Sequence, residues 1–357
     1  MSGPRGDLAG HEAGTMPERH RRRRIALPFS VRRHPDEETI QRSVELWATR
    51  HGLLADAQAV RRFRRHRITT LMTAGCDTAD VDMAALVVEV ATLAFILDDQ
   101  QNNAARTDRV AAYDLLNTRL RAVLHGADVN AEDGPLARAL TDILERLGAR
   151  ASADWHARFR RDLTLAFDGH LAENVFRRKS DGPDAEGFPS LRRDASFCFP
   201  LFDMFELCQG VPVPSAVHDS RPYQVIREAI ADIMCWTNDV HSLHMEQAAG
   251  EPVNYVMVLQ RAEACSTDQA VDEVCRRIGL RVEDLLSARR ELSALLIGLS
   301  APRRVRDAIS RCVGGFESWA GRMEEWDRTG TDRFDSSTIG ASGLPSYVAD
   351  LLPGPRN

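Results

Sequence analysis

The sequence predicts an all-α fold, and three observations predict it. From residue 36 onward apolar residues recur at spacings of three and four, the period of an amphipathic helix. No convincing pair of alternating strand patterns appears among them. The main interruption is a single polar stretch bearing glycine and proline, "RRKSDGPDAEGFPS" at 177–190. The first helix opens after Pro35-Asp36, a common helix-start signal. Further helical patterns run near 56–74, 79–99, 107–125, 134–148, 152–177, 190–209, 221–248, 267–297 and 303–326. Within the second, "RRFRRHR" at 61–67 reads as a solvated face around a buried Phe63. The third, "VDMAALVVEVATLAFIL", is apolar on most sides and reads as a buried helix ending at Asp98 and Asp99.

Residues 1–26, rich in Gly, Pro, Arg and Glu without periodicity, read as a disordered basic leader. Residues 27–335 are expected to form one domain, because each side of the 177–190 loop supplies only part of the chemistry below. Residues 336–357 are a tail, partly ordered at most. The 46 basic and 52 acidic side chains give a formal charge of -6, which argues against nucleic acid as the main partner and favours a small substrate. No run of about eighteen apolar residues offers a membrane span. Seven cysteines without a CxxC pair suit a reducing, cytoplasmic setting. A helical homodimer is a fair expectation for the assembly.

Asp98 and Asp99, placed at a helix C-terminus, meet the negative end of the helix dipole and repel each other. Something positive must offset both effects, unless the pair simply leads into a solvated turn. A second feature is "WTNDVHSLHMEQAAGEPVNYV" at 236–256, where Asn238, Ser242 and Glu246 follow one another at steps of four. On a helix these side chains line one stripe. An amide carbonyl, a hydroxyl and a carboxylate are hard oxygen ligands that suit Mg2+ sharing its shell with a phosphate. The alternative is a polar stripe facing solvent. His241 and His244 suggest a zinc site, but they lack a third ligand of their own.

"DDQQNN" followed by "NDVHSLHME" resembles the two metal motifs of class I terpene synthases, an aspartate-rich motif and an N-D-x-x-S-x-x-x-E motif. "ALPFSVRRHPDEETIQRSVELWATRHGL" is similar to the N-terminal segment of that family. "FPSLRRDAS" resembles its diphosphate sensor, and "FESWAGRMEEWDRTGTDRF" its C-terminal segment. The resemblance implies a single-domain helical bundle around a deep apolar cavity with both metal motifs at the mouth. It implies three Mg2+ ions and a prenyl diphosphate substrate. By position, Asp98 would be the principal ligand of two ions, and Asn238, Ser242 and Glu246 would hold the third. Either Arg192 or Arg193 could sense diphosphate, and the spacing to Ser196, near a helix break, favours Arg192. Arg333 would bond diphosphate on closure, with Asp99 as its partner. Phe95 is the first candidate for the cavity wall, followed by Phe202, Phe205, Trp236 and Trp326.

Three positions depart from the family pattern. Asn102 or Asn103 stands where a third acid is usual, Phe334 where the family has tyrosine, and Met245 where lysine is common. The expected activity is ionisation and cyclisation of farnesyl diphosphate or, next, geranylgeranyl diphosphate. A chain-elongating prenyl transferase and a catalytically silent helical binder are the alternatives.

Overall fold

The computed structural model describes residues 23–130, 132–179, 182–333 and 348–354. Residues 1–22 of the expected leader, and Phe334, lie outside the described residues. Within them all regular structure is helical. In order the helices are α1 (Glu37–Arg50), α2 (Ala57–His66), α3 (Ile68–Thr73), α4 (Val81–Arg106), α5 (Val110–Leu124), α6 (Pro135–Gly148) and α7 (Ala153–Lys179). They continue with α8 (Phe188–Ala195), α9 (Cys198–Leu207), α10 (Ser215–His218), α11 (Arg221–Ala249), α12 (Tyr255–Glu263), α13 (Thr267–Gly298) and α14 (Arg303–Glu325). A π-helical turn, Trp326–Gly330, closes the last one.

Helix α4 runs through the centre, as its nearly all-round apolar surface requires, and packs on α1, α3, α5, α6 and α9. Helix α11 packs along α13 and α14 on the other side, and α7 joins α5, α8 and α9. Two expected helices are each broken once by a residue with positive φ. Arg67 (φ 54°) separates α2 from α3, and Phe197 (φ 57°) separates α8 from α9. Phe63, between α2's charged residues, is buried as the pattern implied. Helix α12 has no counterpart in the sequence reading.

One correction bears on the site. Asp98 and Asp99 do not end their helix, which continues to Arg106. The amides after them carry α4 onward because they are packed and bonded instead of solvated. Gln101 donates through Nε2 to the carbonyl of His170 (2.9 Å) and to Oδ1 of Asn174 (3.1 Å) on α7. Gln100 pairs with the C-terminal segment as a peptide would, donating to the Ala349 carbonyl (3.0 Å) and accepting from the Leu351 amide (2.8 Å). Arg109 holds the same segment through Asp350 and the Pro353 carbonyl (3.1 Å), and Leu352 is buried beneath it. The acidic pair is therefore offset by a side chain, not by solvent at a helix end.

Away from the site, an ion network ties α7, α9, α10 and α11 together. Arg227, 1% exposed, donates to Asp162 (2.7 Å), Asp203 (2.9 Å) and the Phe199 carbonyl (3.0 Å), with His218 Nε2 at 2.8 Å. Beside it Arg158 pairs with Glu206 (3.0 Å), which also accepts from the Tyr223 hydroxyl (2.9 Å).

Glu89 of α4 is buried against Arg146 of α6. Burial pushes its carboxyl from 4.5 up to about 7. The fold thus prefers the neutral form, a stabilisation present below pH 4.5 and lost as pH rises through 7. Glu89→Gln, which keeps an acceptor for Arg146, is expected to raise stability at pH 8 by on the order of 1 kcal/mol, seen as a higher melting temperature, and to leave it nearly unchanged at pH 5. Melts at the two pH values check this, and a shift of equal size at both would contradict it. No described helix is long and apolar enough to cross a membrane.

Candidate active site

The aspartate helix α4 and the Asn238-Ser242-Glu246 stripe of α11 face each other across a polar mouth of about 320 Å3. Asp98, Asp99, Asn102, Asn238, Ser242 and Glu246 all line it, together with Arg192, Arg333 and Met245. Arg333 bridges the acidic pair, at 2.7 Å from Asp98 Oδ2 and 2.7 Å from Asp99 Oδ1. Asn102 turns back and donates to Asp98 Oδ2 (3.3 Å). Arg192 lies on Asp239 (2.9 Å) and donates to Asn238 Oδ1 (3.2 Å). Arg193 points elsewhere, to Asp232 (2.8 Å), so geometry separates the two sensor candidates. Ser242 donates to the Asn238 carbonyl (2.7 Å), and Asn254 donates to Glu246 (2.7 Å).

Electrostatics at the mouth mark it as a place for cations. Burial, with the charge of Asp239 nearby, pushes Glu246 up to about 8. A carboxyl held in this way is relieved by a positive ion beside it. Asn238, Ser242 and Glu246 share one helical stripe on this mouth and supply only hard oxygen donors, which fits a divalent metal.

Beneath the mouth lies a cavity of about 140 Å3. Its wall includes Phe95, Ser196, Phe197, Leu201, Trp319 and Trp326, and Asp98, Arg192, Asn238 and Arg333 belong to both spaces. Phe95 packs on Trp326 with ring centroids 5.7 Å apart, and the Arg333 guanidinium sits 5.2 Å from the Phe95 ring.

Three expected wall residues are off the cavity. Phe202 packs on Phe316 (4.5 Å) and Phe205 on Trp319 (5.2 Å), behind the wall, because Cys198 and Leu201 occupy the inward face of α9. Trp236 turns to Tyr255 (4.9 Å), because Met234, Cys235 and Asn238 take the inward face of α11. His241 is buried and, like His244, lines neither space.

Terpene synthase family 2, C-terminal metal binding, matches residues 89–284. The (-)-delta-cadinene synthase of Streptomyces clavuligerus is 31% identical over 275 residues, covering 76% of this chain and 82% of that protein. The chain belongs to the class I terpene synthases. A (+)-T-muurolol synthase of Roseiflexus castenholzii is 27% identical over 310 residues, 87% of this chain and 93% of the relative. The crystal structure of germacradien-4-ol synthase from Streptomyces citricolor superposes with a TM-score of 0.73 at 26% identity, covering 86% of this chain and 99% of that one. The terpene synthase is thus an enzyme of the lyase class acting on prenyl diphosphates, with a divalent metal site.

Asp203, Glu206 and His218 also have metal-like spacing, but that group already holds the Arg227 and Arg158 guanidinium ions. The sequence reading of this terpene synthase missed several residues at the mouth and behind it. Asp239 holds Arg192 and accepts from the Tyr255 amide (3.0 Å). Asn254 steadies Glu246 and caps α12, a role its place before an apolar run signals. Asp327, buried in the π-helical turn, accepts from Asn238 Nδ2 (3.2 Å). Glu173 and Arg177, paired at 3.3 Å, complete the far side of the mouth.

Proposed function

We propose that this terpene synthase ionises a linear prenyl diphosphate in the presence of Mg2+ and cyclises the allylic cation to a terpene hydrocarbon or alcohol, releasing diphosphate. Farnesyl diphosphate is the first candidate and geranylgeranyl diphosphate the second. The observation that carries the reading is the junction of two unlike spaces, an oxygen-rich mouth whose Arg192 and Arg333 also line the aromatic cavity beneath it. The name of the T-muurolol synthase relative specifies cyclisation of (2E,6E)-farnesyl diphosphate, which supports a C15 substrate.

Asp98, Asn238, Ser242 and Glu246 would hold the metal, as three Mg2+ ions, with the Asn102 carbonyl as a further oxygen. Bound there, the metal supplies the positive charge that stabilises a departing diphosphate. Arg192, oriented by Asp239, donates fixed hydrogen bonds to the same leaving group. Arg333 moves from the acidic pair to diphosphate and remains close to Asp99. Below, Phe95, Phe197, Trp319 and Trp326 offer aromatic faces to the cation, each worth about 2 kcal/mol when desolvated. Their packing keeps out the water that would quench it. Residues 27–335 form the catalytic domain in this reading, acting in the cytoplasm, which the seven free thiols suit, and as a homodimer.

The test is incubation of purified protein with Mg2+ and C10, C15 or C20 diphosphates, with extracts analysed by gas chromatography and mass spectrometry. A cyclic hydrocarbon or alcohol from one chain length is expected. A lengthened diphosphate would instead reveal a transferase, and no turnover with any substrate a binding protein.

A further inference from the structure

His170 lies in the middle of α7, 2% exposed, and forms part of a cavity wall that is otherwise largely apolar. A buried imidazole is costly unless its nitrogens are bonded, and here both are. Nε2 lies 3.0 Å from the Ala195 carbonyl, and Nδ1 meets the hydroxyl of buried Tyr113. A carbonyl only accepts, so the proton is on Nε2, and the Tyr113 hydroxyl must donate to Nδ1. Burial lowers the imidazole to about 4, which keeps it neutral and this tautomer fixed at neutral pH.

What the imidazole grips is the break between α8 and α9. Ala195 is the last residue of α8, and two residues later Phe197 adopts φ 57° and ψ 8°. That conformation is costly for a residue with a side chain and persists only if its surroundings impose it. Two further contacts impose it from the same turn of α7. A Cβ on Gly169 would stand 2.6 Å from the Ala195 amide nitrogen, so only glycine lets the break lie directly on α7. The His170 ring meets Phe197 edge-on, centroids 5.1 Å apart at 83°. On its other side the His170 carbonyl accepts from Gln101, two residues beyond Asp99. One residue thus connects the aspartate helix to the break.

We propose that His170 is a positioning residue for the reaction, holding the α8–α9 break so that Arg192 meets Asn238 and Phe197 keeps its place in the cavity wall. The inference rests on the function proposed above for Arg192. Arg192 is one turn before Ala195, so a shift of the break moves the guanidinium relative to the metal stripe. Misplacement of about 1 Å is enough to lower a rate on the order of 100-fold.

The test compares kcat, KM and product ratios of His170→Phe, His170→Gln and Tyr113→Phe with the wild type. His170→Phe keeps a ring but neither nitrogen. It is expected to lower kcat roughly 10- to 100-fold with KM little changed, and to raise the share of acyclic and early-quenched alcohols. Glutamine can donate to Ala195 and accept from Tyr113, and His170→Gln is expected to recover most of the wild-type ratio. Tyr113→Phe removes one oxygen from the chain and should shift the ratio in the same direction by less. A purely structural role would lower the melting temperature while leaving kcat per folded molecule and product ratio unchanged, and that result overturns the proposal. So does a His170→Gln enzyme no better than His170→Phe. Should His170→Phe fail to fold, Tyr113→Phe decides, an unchanged ratio counting against the proposal and a shifted one for it. Absence of turnover in the wild type would refute the function itself, a result distinct from any of these.

Discussion

Replacing Asn238 or Glu246 by alanine is expected to abolish terpene formation while leaving the melting temperature within a degree or two of the wild type. Losing one preorganised charge stabiliser typically costs 100- to 1,000-fold, and loss of a metal ligand removes a share of several such contacts, so a fall of at least about 1,000-fold is expected. Stability should follow little, because both side chains line the mouth and stay half-buried, each giving up only one or two hydrogen bonds at its edge. Glu246 is if anything a burden on the empty fold, since burial pushes its carboxyl up to about 8. Turnover measured beside a thermal melt separates the two effects. Retained activity in either variant would remove that residue from the metal site.

The largest stability effect is expected from Arg227→Met. It leaves Asp203 buried without its cation and Asp162 with Arg161 alone, a change that typically costs about 3–5 kcal/mol. For a chain of this size that corresponds to roughly ten degrees in melting temperature. Burial already drives Asp203 well above its ordinary range, and without Arg227 it would rise further. The folded variant would then prefer the protonated form, so its deficit should be greatest at pH 8 and shrink toward pH 5. Denaturation by heat or urea across that range provides the measurement. A loss below 1 kcal/mol would mean that the network contributes little beyond what methionine packing restores.

Much of the fold was legible because long helices repeat their apolar period many times, and α4, α11 and α13 were placed within a few residues except at the end of α4. That end was misplaced because a run of amides looks identical whether it is solvated or, as with Gln100 and Gln101, bonded to distant parts of the chain. The break at Arg67 left no trace in the periodicity, and that at Phe197 was signalled only by the resemblance that places Ser196 near a helix break, because neither residue advertises a positive φ. Spacing brought Asn238, Ser242 and Glu246 to one stripe, since a step of four is a local property. Which way an aromatic faces is not local. Phe202, Phe205 and Trp236 have the same periodicity as true wall residues, and only the packing of α14 and α12 reveals that they point away. Asp239, Asn254 and Asp327 act on the site through other residues, and such supports leave little trace in sequence.

The pairing of Gln100 with the C-terminal segment makes the molecule convenient to observe. Exposed Gly354 lies three residues beyond Leu351, whose amide is held by an α4 side chain immediately after Asp99. A fluorophore carried there would ride on the aspartate helix without entering the mouth. Its anisotropy could then follow the arrival of diphosphate and cations in real time, with no need to wait for a volatile product.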